Sequence, residues 1–175
     1  MPLLHRPRGL LTACVIVLLS ALVVSPNVPA AEPSASEAGD PGKILVEIFL
    51  AGDRKEDLAA ITREFGAVGI TKIRPKFFQL GNPPTNIAIG RRVPADIARL
   101  AIRLARTHNG GITKLLPEER LAPDYIAIGT SIFDELFQYP ISPEDVDRLA
   151  DPALTTEQFH ELYRKLADIN RRAYR

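Results

Sequence analysis

Cysteine is nearly absent from this chain of 175 residues, which has one, Cys14. That residue falls in an amino-terminal segment assigned below to an export signal. The remainder therefore has no disulfide, no thiol nucleophile and no thiolate metal site. Histidine is scarce as well: His5 belongs to the same segment, leaving His108 and His160. Neither has a ligand at a spacing such as His-x-x-x-His. Asp134-Glu135 and Glu144-Asp145-x-Asp147 lack the alternating Asp and the Gly of a calcium loop. No glycine loop opens a helix to cradle phosphate; Asn109-Gly110-Gly111 follows a helix instead, the wrong polarity for an anion site. The expectation is a protein without metal or cofactor.

Nucleophilic catalysis is also poorly provided for. Ser131, in Gly129-Thr130-Ser131-Ile132-Phe133, follows a predicted strand but lacks the second glycine of a Gly-x-Ser-x-Gly elbow. His108 sits where a helix end favours a carbonyl cap, and His160 lies beside the apolar face of an amphipathic helix. Neither comes with a recognisable base and orienting group.

What is present begins with a translocation signal. Basic His5-Arg6-Pro7-Arg8 precedes an apolar run from Leu10 to Val24, followed by small residues at Val28 and Ala30. The run is too short for a spanning helix of about 20 residues, so residues 1–30 read as a signal peptide cleaved after Ala30. Leu11-Thr12-Ala13-Cys14 resembles a lipidation signal, but most of the apolar run follows that cysteine. The predicted location is periplasmic or extracellular, with the membrane met only through the signal before cleavage. The chain carries 22 basic and 21 acidic residues, and Arg6 and Arg8 leave with the signal. A balance this close to neutral gives no reason to expect nucleic acid as partner.

Residues 31–42 contain no large apolar side chain and read as a flexible tether. An α+β domain is expected over 43–140, and a helical extension over 141–175. Strands are predicted at 44–50, 70–74, 86–90, 112–116 and 125–129, with Pro75 stopping the second and Phe77-Phe78 continuing it beyond a bulge. Helices are predicted at 54–65, where Asp53 to Glu56 has capping-box spacing, and at 94–108, with the stripe Ile97, Leu100, Ala101, Leu104, Ala105. Ser142-Pro143 and Thr155-Thr156 start two more, the last with apolar face Phe159, Leu162, Tyr163, Leu166, Ile169. Two echoes point to duplication: Gly69-Ile70-Thr71-Lys72-Ile73-Arg74-Pro75 against Gly111-Ile112-Thr113-Lys114-Leu115-Leu116-Pro117, and Ile87-Ala88-Ile89-Gly90 against Ile126-Ala127-Ile128-Gly129. The expected fold is a duplicated β-α-β, ferredoxin-like antiparallel sheet with two helices on one face.

Over about Lys43 to Ile132 this pattern resembles the small ferredoxin-like domains of the bacterial envelope, the SPOR repeat and the LytR carboxy-terminal domain. The SPOR resemblance implies binding of peptidoglycan glycan strands. No residue matches a ligand groove of that family, and the tail from Phe133 lies outside the pattern.

Charge is segregated along the chain. Arg91, Arg92, Arg99, Arg103, Arg106 and Lys114 are opposed only by Asp96, whereas residues 118–157 hold ten acids against Arg120 and Arg148. Arg99, Arg103 and Arg106 recur at helical spacing opposite the apolar stripe. Like charges so placed repel, so the stripe calls for a partner. That partner is either the protein's own acidic segment or an external anion, such as an envelope polymer or an acidic protein surface. The sequence therefore points to a non-catalytic binding or regulatory module of the bacterial envelope, with Arg91, Arg92, Arg99, Arg103 and Arg106 as its binding residues. The competing reading is a small secreted hydrolase using carboxylates near Ser131, Asp134 and Glu135. Adjacent Asp134 and Glu135 would point to opposite faces of a strand, which argues against that pair.

Overall fold

The structure is a computed structural model that describes residues 39–79, 81–131 and 139–172. The expected signal peptide, its cleavage site, Cys14, most of the tether, Asp134 and Glu135 lie outside the described residues. Among the described residues, no helix is long and apolar enough to cross a membrane.

All five predicted strands form, as β1 (Leu45–Ala51), β2 (Lys72–Phe78), β3 (Asn86–Ile89), β4 (Lys114–Leu116) and β5 (Tyr125–Ile128). They make one α+β sheet in the order β2-β1-β5-β3-β4. β1 lies parallel to both β2 and β5, whereas β3 is antiparallel to β5 and parallel to β4. This corrects the antiparallel ferredoxin-like expectation. Each β-α-β unit keeps its two strands adjacent and parallel, and β5 separates the units. The central strands β1, β5 and β3 are accordingly buried almost throughout.

β2 runs unbroken through Pro75, which pairs with Ile48 in regular register, so no bulge is needed. An edge strand is bonded on one side only and tolerates a residue with no N–H. The echoed Ile-Ala-Ile segments turn out to be neighbours: Ile87, Ala88 and Ile89 face Ile128, Ala127 and Ile126.

α1 (Asp57–Ala67) joins β1 to β2, and α2 (Ala95–His108) joins β3 to β4. They pack against each other and share one core with Val46, Ile48, Leu50, Ile87, Ile89, Ile126 and Ile128, so both cover the same sheet face, as predicted. α1 begins later than its sequence suggests. Its N-cap is Glu56 and no side chain caps it, so the capping box at Asp53 does not form. The predicted α2 stripe is buried in full.

The tail provides α3 (Pro143–Leu149) and α4 (Thr156–Arg172). Ser142 Oγ accepts from Asp145 N at 3.1 Å. Thr155 and Gln158 close a reciprocal box, with Thr155 N donating to Gln158 Oε1 at 3.0 Å and Gln158 N to Thr155 Oγ1 at 3.3 Å. α4 packs on α2 and β4 through buried Phe159, Tyr163 and Leu166, each burial stabilising by about 1.5–3 kcal/mol. Ile169, placed on that face from sequence, is instead 53% exposed. At the other end, residues Gly39 to Gly42, read from sequence as tether, are ordered. Gly39 N donates to Arg92 O at 2.8 Å, and Asp40 caps a short 3-10 turn, Pro41–Lys43.

Candidate functional site

The arginines of α2 line a groove about 730 Å³ in volume. α1 contributes Glu64 and Ala67, its C-cap Val68 follows, the α2 surface forms the floor, and Ala150 and Pro152 close it beyond α3. The wall is largely apolar, and the guanidinium groups stand along it. This follows from the helix itself: burial of Ile97, Ala101 and Leu104 leaves Arg99, Arg103 and Arg106 on the outer side.

Each of these three is engaged within the chain. Arg99 Nη1 donates to the carbonyls of Asp151 at 3.3 Å and Leu154 at 3.1 Å, pinning the α3–α4 loop. Arg103 Nη2 meets Glu64 Oε2 on α1 at 2.8 Å, and Arg106 Nη1 meets Asp147 Oδ1 on α3 at 2.7 Å. Arg92 grips Asp124 through Nε, at 3.1 Å, and Nη2. Arg91 lies exposed in the turn before α2. Asp124 and Asp147 belong to the acidic segment that the sequence offers as an internal partner, whereas Glu64 does not. The groove thus gathers Arg99, Arg103 and Arg106; Arg91 and Arg92 are not part of its lining.

The two histidines have different fates. His160 is buried on α4, with Nε2 2.8 Å from Val93 O and Nδ1 3.2 Å from Glu118 Oε2. A carbonyl only accepts, so Nε2 carries a hydrogen. Arg164 Nε holds the other oxygen of Glu118 at 2.8 Å. Both ring nitrogens are therefore committed to structure. His108, the last residue of α2, does not cap the carbonyls as expected. Its Nδ1 lies 3.2 Å from Asp57 Oδ1 on α1. No local signal announces this pair, whose members are 51 positions apart and belong to different helices.

Two tyrosines show how the core treats polar tips. Tyr163 Oη donates to Leu116 O at 2.8 Å and Ile87 O at 3.1 Å, and burial pushes its phenol well above the ordinary range. Tyr125 Oη donates to Glu47 Oε2 at 2.8 Å, on the sheet face away from α1 and α2. Its phenol is raised by burial first and then by the neighbouring carboxylate.

Ser131 is exposed just after β5, and Gly129 before it adopts φ +73° against the Asn109 amide. Among the described residues, no group of three or more His, Cys, Asp or Glu is arranged to hold a metal ion. No family model matches the chain, and no curated protein or solved structure matches it either.

Proposed function

We propose that this protein is a non-catalytic binding module, exported to the bacterial envelope, that docks an acidic segment of a partner protein in the groove over α2. The observation that carries the reading is the character of the ion pairs along that groove. Arg103 and Arg106 are 64% and 44% exposed, and their partners Glu64 and Asp147 are 45% and 63% exposed. Exposed pairs of this kind contribute about 0–1 kcal/mol, so a carboxylate-rich chain can exchange with the resident acids at little cost. Ala67, Val68, Leu100 and Pro152 add an apolar surface for the partner's own side chains. Export rests on the character of residues 1–30, and the bacterial envelope on the resemblance stated above.

A duplicated origin for the two β-α-β units belongs to the same reading. It is supported by the shared Gly-Ile-Thr-Lys and Pro positions of the two echoes and by the placing of one parallel pair on each side of β5. The test of function is titration of a fluorescent glutamate-rich peptide into the protein and into the Arg103→Gln/Arg106→Gln variant, read by anisotropy. Weaker binding by the variant supports the groove.

A further inference from the structure

The two echoed Gly-Ile-Thr-Lys segments occupy the same place in their units, each leading from a helix into a parallel strand. Their Thr-Lys pairs nevertheless have different surroundings. In the second unit, Thr113 Oγ1 lies 2.6 Å from Thr85 Oγ1, and Thr113 O accepts from Ile141 N at 2.8 Å. Lys114 is engaged as well. In the first unit, Thr71 and Lys72 are exposed, and neither side chain has a partner among the described residues. They open instead into a cleft of about 450 Å³ lined by Lys43, Leu45, Thr71, Lys72, Ile73 and Arg74.

The charge of this cleft is of one sign. Lys43 stands just before β1, while Lys72 and Arg74 alternate with Ile73 and project from one face of β2, roughly 6.6 Å apart along the strand. Among the described residues, no acid lines the cleft. The acids of the neighbouring segments are already held. Glu47, opposite Arg74 on β1, is 8% exposed and accepts from Tyr125 Oη at 2.8 Å and Lys76 Nζ at 3.4 Å. Arg74 reaches Glu47 only at 4.0 Å and stays 67% exposed, so its guanidinium keeps donors for another anion. Asp40 caps Gly42 N, and Asp124 is gripped by Arg92. Lys43, like Lys72, has no side-chain partner among the described residues. Clefts lined by one sign of charge focus the field and concentrate the opposite ion.

We propose that this cleft binds the pyrophosphate group of a small organic ester. Three cations match a linked pair of phosphoryl groups, each adding its own charge, better than a single carboxylate. Lys72 and Arg74, at strand spacing, each take one phosphoryl group, and Lys43 closes on the pair from the β1 side. The Thr71 hydroxyl donates to a phosphoryl oxygen. Charge-assisted bonds of this kind are the stronger ones. Leu45 and Ile73, both half-buried, offer apolar surface to the organic part. The volume lies within the roughly 300–1,000 Å³ usual for ligand pockets. None of these residues belongs to the groove over α2, so the site is independent of docking there.

The test is a titration of the full chain with inorganic pyrophosphate, butyl diphosphate and, at matched ionic strength, sulfate, following the backbone amide signals of Thr71 and Ile73 by NMR. Both diphosphates are expected to shift these signals saturably, the ester at least as tightly as the inorganic ion. Sulfate, which lacks the second charged group, should bind roughly tenfold more weakly or worse. Lys43→Gln/Lys72→Gln should weaken the ester roughly tenfold or more, because charge-assisted bonds are lost from two exposed, unpaired residues. Lys165→Gln, on the helix that packs on β4 at the opposite edge of the sheet, should change nothing. Binding of inorganic pyrophosphate without the ester would overturn the ester assignment. Equal responses to sulfate and the diphosphates, or equal losses in the double variant and Lys165→Gln, would reduce the effect to general charge and overturn the pyrophosphate assignment. No saturable shift at millimolar concentration, or unchanged affinity in the double variant, would overturn the site.

Discussion

Arg103 of α2 and Glu64 of α1 meet at 2.8 Å across the wall of the groove, although both side chains remain largely open to solvent. A pair in that position holds the helices together weakly and stays reachable from outside. Arg103→Gln should therefore change the thermal unfolding free energy by less than about 1 kcal/mol. Differential scanning calorimetry checks this, and a larger loss would make the pair a structural clamp.

Arg99 should behave differently from its neighbours. It is half-buried and bonds the Asp151 and Leu154 carbonyls, which lie in the loop joining α3 to α4. Arg99→Gln is expected to cost about 1–2 kcal/mol of stability, because charged donors to carbonyls are the stronger kind of bond. Chemical denaturation of the single variants separates the two roles.

How far this was legible in the sequence depends on the range of the interaction. The strands and helices were readable because apolar periodicity and caps such as Thr155–Gln158 are local. The order of the strands was not: nothing within Tyr125–Ile128 says that it inserts between β1 and β3. Pro75 misled for the same reason, since only its place at the sheet edge makes it harmless. In the groove, the spacing of Arg99, Arg103 and Arg106 was visible, and an acidic partner such as Asp147 was foreseeable from charge balance. Glu64 was not, because it belongs to α1. The Asp57–His108 pair left no trace, as neither residue has a motif around it.

Tyr163 links core packing to pH. Its phenol is raised above the ordinary 10.0 by burial, so the folded state keeps the proton longer than the unfolded chain. The stabilisation is complete below about pH 10 and is lost as pH rises beyond that value. Melting temperature should accordingly fall steeply on the alkaline side of 10. Tyr163→Phe should cost about 1–2 kcal/mol at neutral pH, by removing the bonds to Ile87 and Leu116, and should make that alkaline fall shallower.

His160 and Glu118 face each other within the core at 3.2 Å, both under 10% exposed. His160→Leu leaves a buried carboxylate with Arg164 alone and frees the Val93 carbonyl. The expected cost is about 3 kcal/mol, seen as a lower urea midpoint with unchanged slope.

Gly90 should be irreplaceable. A Cβ there would collide with the carbonyl oxygens of Ala122 and Pro123, which belong to the turn leading into β5. Gly90→Ala is expected to lower the melting temperature by several degrees, and a neutral effect would show that this turn moves freely.

Exchange of the resident acids at the groove is measured most directly by peptide binding as a function of salt. A glutamate-rich fluorescent peptide should bind the protein at low ionic strength and release steeply as salt rises, because screening shortens from about 10 Å at 0.1 M to about 3 Å at 1 M. Arg103→Gln/Arg106→Gln should abolish that salt-dependent binding while leaving the melting temperature nearly unchanged. Undiminished binding by the double variant, together with a clear drop in its melting temperature, would contradict the account and confine these arginines to holding α1, α2 and α3 together.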